Sequence, residues 1–282
     1  MNRRRGLLHP QGGGGLQIAN VGDIAYYTNG RVRVVAQDAW DSSLGTAVGV
    51  VVIPSGFAPD NGKARIISLN WADANGASTA TASMITWSEV SSESSLPNFT
   101  AVPTTDNASA ALSGSNMKGY LPSDKFTGTA SYVDPVTAYY DTSIMIPSPY
   151  LGGTPNPAYY AEISGGNALS DFNGKNNTII LAEESNGTPP IAISKYKAEG
   201  AEDIEWYLPA AGELGYMVVR YKKINESLAK LGAVQLGADY RYWASTEYGA
   251  GFIATINASN SYINFAGKQY KYYARPFAQL DF

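Results

Sequence analysis

Short strands are predicted along the first 70 residues, where apolar and polar positions alternate or form brief apolar runs. Residues 24–28 are followed by Asn29-Gly30, a dipeptide typical of tight hairpin turns, and then by a second strand pattern over 31–36. An apolar run over 47–53 and an alternating stretch over 64–70 continue the pattern. The N-terminal part of the chain is therefore predicted to be rich in β-structure.

An amphipathic helix is predicted over residues 210–231, where apolar residues recur at helical spacing and charged residues occupy the other face. Pro209 suits the entrance of this helix and Gly232 its C-terminal stop, while Gly215 is a point at which it can break in two. A role in packing the core is favoured over a role in binding a partner. The apolar positions are Leu214, Met217, Val218, Tyr221, Ile224, Leu228 and Leu231.

Two segments lack this periodicity. Residues 1–20 contain an unbroken glycine run at 12–15 and the basic cluster Arg3-Arg4-Arg5, a composition that predicts a flexible arm for attachment to an assembly. Residues 91–175 are dense in Ser, Thr, Asn, Gly and Pro, which indicates long surface loops. We therefore expect an attachment arm over 1–20 and one domain over 21–282, with an insertion at about 91–170.

Composition and charge narrow the range of partners. The chain has 282 residues, 44% of them hydrophobic, so it can bury a sizeable core. Its net charge of −4 does not suit a nucleic-acid binder. Membrane insertion is not expected, because no apolar stretch approaches the roughly 20 residues that span a bilayer. The N-terminus lacks the apolar core of a signal peptide, so we expect a protein that is cytoplasmic as synthesised.

Catalysis and cofactor binding are not expected. The single histidine, His9, falls in the arm, so a Ser-His-Asp triad or a His-ligated metal site cannot form within the domain. No Glu-Pro-Asn or Gln-Pro-Asp signature of calcium-dependent sugar binding occurs, although a calcium site is left open. We therefore expect no enzyme, no cofactor, no catalytic residue and no metal ligand. The remaining carboxylates that could form an acid pair are Glu183, Glu184, Glu202, Asp203 and Glu205, which are typical of a solvated face.

The C-terminal segment divides into a rigid frame and a set of displayed positions. Trp243 is large enough to anchor the core, and Arg275 can pair with a buried acceptor such as Glu247. Apolar residues at strand spacing are expected to face inward. They are Ile253, Ile256, Ile263 and Ala274.

The residues between these frame positions have the composition of a binding surface. Tyr and Phe provide rigid amphipathic contact area, while Asn and Gly adapt to a partner. Ordinary exposed strand residues are the alternative interpretation, since Tyr and Thr also favour strands. The predicted ligand-binding residues are Gly251, Phe252, Thr255, Asn257, Tyr262, Asn264, Ala266, Gly267, Tyr270 and Tyr272.

Four motifs near the C-terminus carry a family resemblance. They are Trp206-Tyr-Leu-Pro-Ala-Ala-Gly-Glu-Leu-Gly-Tyr216, Ile224-Asn-Glu-Ser-Leu-Ala-Lys-Leu-Gly232, Tyr242-Trp-Ala-Ser-Thr-Glu-Tyr248 and Ala274-Arg-Pro-Phe277. In order and spacing they resemble the C-type-lectin-fold variable proteins that diversity-generating retroelements target in gut bacteria and their phages. The resemblance covers residues 200–282 and extends less sharply to 21–30, 48–52 and 66–69. Ala244 and Phe277 depart from the residues that relatives often carry.

The resemblance implies an α+β fold of the C-type lectin type, with a twisted antiparallel sheet, two helices and the long insertion. It also implies a variable ligand-binding region at about 240–275, of the kind that a phage tail tip presents to its bacterial host. The ligand would be a bacterial surface protein or glycan, and the arm would join other virion tail proteins. Within a virion such a protein can form a homo-oligomer such as a trimer. The alternative function is a static structural or decoration protein without diversified binding.

Overall fold

A computed structural model of the protein describes residues 18–56, 63–88, 118–122, 146–147, 160–164, 172–184, 188–237, 239–249, 252–258 and 262–280. The predicted attachment arm, except for residues 18–20, lies outside the described residues, as does most of the predicted insertion. The strands are β1 (Ile24–Thr28), β2 (Arg31–Val35), β3 (Thr46–Ile53), β4 (Ala64–Ser68), β5 (Trp71–Ala72), β6 (Ser78–Thr79), β7 (Met84–Thr86), β8 (Lys118–Pro122), β9 (Ile146–Pro147), β10 (Tyr160–Ser164), β11 (Trp206–Tyr207), β12 (Arg241–Gly249), β13 (Phe252–Asn257), β14 (Tyr262–Gly267), β15 (Lys271–Tyr273) and β16 (Phe277–Leu280). The helices are α1 (Gly174–Glu184), α2 (Thr188–Lys195), α3 (Ala211–Val219) and α4 (Tyr221–Lys230).

The N-terminal and C-terminal strands meet in one six-stranded sheet. Its strand order is β11-β16-β4-β3-β1-β2, and its pairings are antiparallel. The β1–β2 hairpin turns at Asn29 and Gly30, both of which have positive φ, as a tight hairpin turn with strand-matching twist requires. The antiparallel sheet and the accompanying helices confirm the predicted α+β class.

A second sheet carries most of the predicted binding region. Its strand order is β14-β13-β12-β15-β7, so the segment Met84–Thr86 from the N-terminal half forms one edge. Strands β8, β9 and β10 of the predicted insertion form a separate three-stranded sheet, and β10 lies against β14. Part of the insertion therefore adjoins the C-terminal sheet.

The predicted helix over 210–231 is present, but it is divided at Arg220 and not at Gly215. Arg220 has φ −110° and ψ 9°, and its amide donates to the carbonyl of Met217. Gly215 remains helical because every residue over 211–218 is buried, and tertiary packing outweighs the low helix propensity of glycine. Gly232 ends α4 with φ +64°, as predicted.

The core consists of two buried clusters that cover opposite faces of β12 and β13. One cluster joins helices α3 and α4 to β3 and includes Leu214, Ile224 and Ile256. The other includes Trp87, Trp243 and Ile253. Both faces of the C-terminal sheet are thus packed. None of the described helices is long and apolar enough to span a bilayer.

A buried ionic network anchors the start of α3. Glu213 accepts a hydrogen bond from the Arg65 Nε at 3.1 Å, from the Tyr207 hydroxyl at 2.8 Å and from the Ala210 amide at 2.8 Å. The side chains of Arg65 and Glu213 are fully excluded from solvent. Gly174 packs directly against Glu213, and a larger residue does not fit there because its β-carbon would lie 2.2 Å from a carboxylate oxygen of Glu213. The network therefore ties β4, β11, α1 and α3 together.

Burial makes this network sensitive to pH. Loss of solvation raises the pKa of Glu213 to about 7, although Arg65, the Ala210 amide and the Tyr207 hydroxyl act in the opposite direction. A folded-state pKa above the unfolded value contributes stability that is complete below the unfolded pKa and is lost as the pH rises through 7. We expect the free energy of unfolding to fall between about pH 4.5 and pH 7, by at most about 1.4 kcal/mol per pH unit.

Chemical denaturation at several pH values would measure this dependence. The control is Glu213→Gln, which keeps the acceptor oxygen but cannot ionise, so its stability should change less over the same range. An equal slope in the wild-type protein and in the Gln variant would contradict the assignment to Glu213.

Candidate functional site

The frame of the predicted binding region is buried, but it does not face one side. Ile253, Ile256, Trp243, Ala274 and Arg275 are all at most 1% exposed. Ile253 and Ile256 are three residues apart in β13, so their side chains point to opposite faces of the sheet. Both isoleucines are buried, as expected of inward-facing residues, but they belong to different core clusters. The side chain of Ile263 lies outside the described residues.

Three of the predicted display positions are buried. Thr255 is 1% exposed, because it shares the face of Ile253 and lies opposite Trp243 in the β12–β13 ladder. Ala266 and Gly267 are also buried. The expectation that these three residues are displayed is wrong, because both faces of the sheet are packed, so alternation along the strand exposes none of them.

Four polar and aromatic residues converge where this face of the sheet opens to solvent, and we call them the Arg241 patch: Arg241, Asn257, Tyr270 and Tyr272. The Arg241 Nη1 donates to the Tyr272 hydroxyl at 3.1 Å, and the guanidinium lies 5.1 Å from the centre of the Tyr272 ring. The Tyr270 and Tyr272 rings are 6.3 Å apart, and Arg241 is paired with Asn257 across the ladder. These contacts make one continuous surface.

The Arg241 patch rests on rigid supports. The Tyr272 ring packs edge-on against Trp243 at 4.8 Å, and Trp243 packs against Trp87 at 5.5 Å. The Trp243 Nε1 donates to the Ile85 carbonyl at 2.7 Å, which fixes the indole in its plane. The exposed groups are therefore held by a buried aromatic cluster, an arrangement that favours binding with little loss of side-chain entropy.

The structure brings together only part of the predicted set. Asn257, Tyr270 and Tyr272 belong to the patch, and Tyr262 pairs with Asn257 in the β13–β14 ladder. Phe252 is 38% exposed, but alternation along β13 places it on the other face from Asn257. For Asn264 the structure describes only the ladder position opposite Thr255, and Gly251 lies outside the described residues.

Arg241 was not among the predicted ligand-binding residues, because it lies beside Trp243 in a segment whose aromatic residues indicate a rigid frame. The available signal was its position as the first residue of β12, two residues before Trp243 on the same face. A side chain at a strand end reaches solvent even where the strand interior is packed on that face. Arg241 is half-buried, so its stem packs while its guanidinium reaches the surface.

Arg275 is a structural residue and not part of the patch. Its Nη2 donates to the carbonyls of Ser68, Leu69 and Val234 at 2.8–2.9 Å, and its guanidinium lies 4.6 Å from the centre of a Trp71 ring. Burial lowers the pKa of Arg275 to about 10. The expected pairing with a buried acceptor is thus met by backbone carbonyls, while the side chain of Glu247 lies outside the described residues.

Three of the carboxylates considered for acid–base chemistry lie on the surface. Asp203 accepts a hydrogen bond from the Tyr27 hydroxyl at 2.8 Å, and Glu205 forms an exposed ion pair with Lys175 at 2.6 Å. Glu202 is exposed, and the side chains of Glu183 and Glu184 lie outside the described residues. Within the described ranges, no group of three or more His, Cys, Asp or Glu residues could hold a metal ion.

Comparison with known proteins finds no matching family model and no matching curated protein. Among solved structures, the chain is similar to a fimbrial protein from Bacteroides ovatus, with 15% sequence identity and a TM-score of 0.46. The alignment covers 93% of this chain and 49% of the fimbrial protein, so the chain spans about half its length. A similarity at this level supports no conclusion about fold family or function.

Proposed function

We propose that this protein is a ligand-binding protein that contacts a bacterial surface through the Arg241 patch, as an adhesin at a phage tail tip. In this proposal the domain has the C-type lectin-like fold that its C-terminal motifs resemble, and its C-terminal sheet is the variable binding surface. The N-terminal arm attaches the domain to other tail proteins. Host recognition needs only affinity for a surface ligand and no catalytic group.

The observation that carries the proposal is the exposed Arg241 patch on a buried aromatic base. Tyrosine, arginine and asparagine are the residue types enriched at binding hot spots and in paratopes. Tyr270 is a large aromatic side chain that is 54% exposed. Its exposed apolar surface is unfavourable in water, and a bound ligand would cover it. Its neighbour Tyr272 is fixed by Arg241 and Trp243, so the surface is organised before a ligand arrives.

Shortening the Tyr270 side chain should weaken binding and leave the stability of the protein almost unchanged. We expect Tyr270→Ala to weaken binding to host cells by about tenfold or more, because hot-spot aromatics contribute about 2 kcal/mol or more. The free energy of unfolding should change by about 0.5 kcal/mol or less, since Tyr270 is exposed. Cell-binding assays of the labelled protein and denaturation curves of the same preparations would measure both effects.

Met84→Ala is a matched control, because Met84 is 53% exposed on the edge strand β7 but is not part of the patch. It should leave both binding and stability close to those of the wild-type protein. If Tyr270→Ala and Asn257→Ala together leave cell binding unchanged, the patch is not the binding surface. A static structural role, or binding through the insertion, would then be the better proposal.

A further inference from the structure

The Arg241 patch contains N–H and O–H groups that no described residue accepts a hydrogen bond from. Arg241 uses Nη1 to contact Tyr272, and its other guanidinium N–H groups have no partner within the part of the chain that the structure describes. The Tyr270 hydroxyl likewise has no hydrogen-bond partner among the described residues. No described carboxylate forms an ion pair with Arg241. The guanidinium is thus oriented by Tyr272 and still able to bind an anion.

From this arrangement we propose that the patch binds an acidic sugar, with the ligand carboxylate on Arg241 and a sugar ring packed on Tyr270. This inference rests on the proposed function of the same surface. Arginine presents N–H groups in a fixed fork that matches a carboxylate. The apolar C–H face of a pyranose ring fits the exposed Tyr270 ring, while the sugar hydroxyls can reach the Tyr270 hydroxyl.

The aromatic part of the patch favours a glycan over an acidic peptide. One cation surrounded by neutral tyrosine and asparagine groups matches a sugar unit with one carboxylate and several hydroxyls. An acidic peptide also offers a carboxylate to Arg241, but its side chains provide no C–H ring face to pack on the exposed Tyr270 ring. The structure therefore assigns a uronic-acid type of ligand to this patch.

Binding of oligogalacturonic acid to the full-length protein, measured by calorimetry or biolayer interferometry, tests the assignment. The carboxyl-reduced form of the same oligosaccharide is the neutral probe, and poly-L-glutamate is the peptide probe. We expect the acidic oligosaccharide to bind at least tenfold more tightly than either, since a charge-assisted bidentate contact contributes this much. Arg241→Gln should remove that preference, and Arg241→Lys should retain only part of it.

Arg33→Gln is the matched control, because Arg33 is an exposed arginine on β2 of the other sheet. It should bind the acidic oligosaccharide as the wild-type protein does. Equal binding of the neutral probe, tighter binding of poly-L-glutamate, or an unaltered preference in Arg241→Gln would each overturn the assignment. The proposed function is tested separately: it is wrong if Tyr270→Ala and Asn257→Ala together leave binding to host cells unchanged.

Discussion

Replacing Trp243 by Ala is expected to lower the free energy of unfolding by about 3–5 kcal/mol, because the change leaves a large cavity in a packed core. Trp243 is fully buried, contacts the rings of Trp87 and Tyr272, and donates to the Ile85 carbonyl. The loss of this hydrogen bond adds to the effect, since the carbonyl is left without its indole donor. Urea denaturation followed by circular dichroism would measure the change.

Under the proposed function, the same variant should also weaken binding to host cells, because Tyr272 loses the ring that supports it. Trp243→Phe is the control that separates packing from hydrogen bonding: it retains an aromatic ring but removes the donor to Ile85. We expect Trp243→Phe to be less destabilising than Trp243→Ala. A loss below about 1 kcal/mol for Trp243→Ala would contradict the place of Trp243 in the core.

Replacing Arg65 by Met is the second change with a large expected effect. It should destabilise the protein by about 3–5 kcal/mol at neutral pH, because Glu213 would remain buried without its cation. Both side chains are fully excluded from solvent, so water cannot replace the lost partner without opening the fold. Thermal and chemical denaturation of the variant would measure the loss.

The pH dependence of that loss identifies its cause. A buried carboxyl without a partner is neutralised more readily, so the destabilisation by Arg65→Met should be smaller at about pH 5 than at pH 8. The double variant Arg65→Met with Glu213→Gln should be more stable than Arg65→Met alone at neutral pH, because a glutamine does not have to take up a proton to stay buried. A double variant that is no more stable than the single one would exclude an electrostatic origin.

Sequence periodicity predicted the elements whose patterns are local. The β1–β2 hairpin follows from Asn29-Gly30, and the helical spacing over 210–231 follows from a helix face that packs on the core. The place of the helix break did not follow, because burial of residues 211–218 keeps Gly215 helical. Helices α1 and α2 were not predicted either. A weakly amphipathic sequence such as that of α1 carries little periodic signal.

The candidate site was predicted in part. Composition indicated a surface of Tyr and Asn residues near the C-terminus, and the patch contains Asn257, Tyr270 and Tyr272. The same composition cannot distinguish Thr255 from Asn257, which share one face of β13. The difference arises because Thr255 lies opposite the buried Trp243, whereas Asn257 lies opposite Arg241 at the open end of the strand.

The sequence by itself determined the α+β class, the hairpin, the helical segment over 210–231 and the residue types of the candidate site, because turn chemistry and hydrophobic periodicity act over a few residues. Only the tertiary structure decided which of those residues reach solvent. β7 comes from a distant part of the chain to form one edge of the C-terminal sheet, and the neighbouring Trp87 packs against Trp243 on the face that holds Thr255. Such long-range packing sets the exposure of each side chain, so the local pattern of a strand does not reveal which of its residues reach solvent.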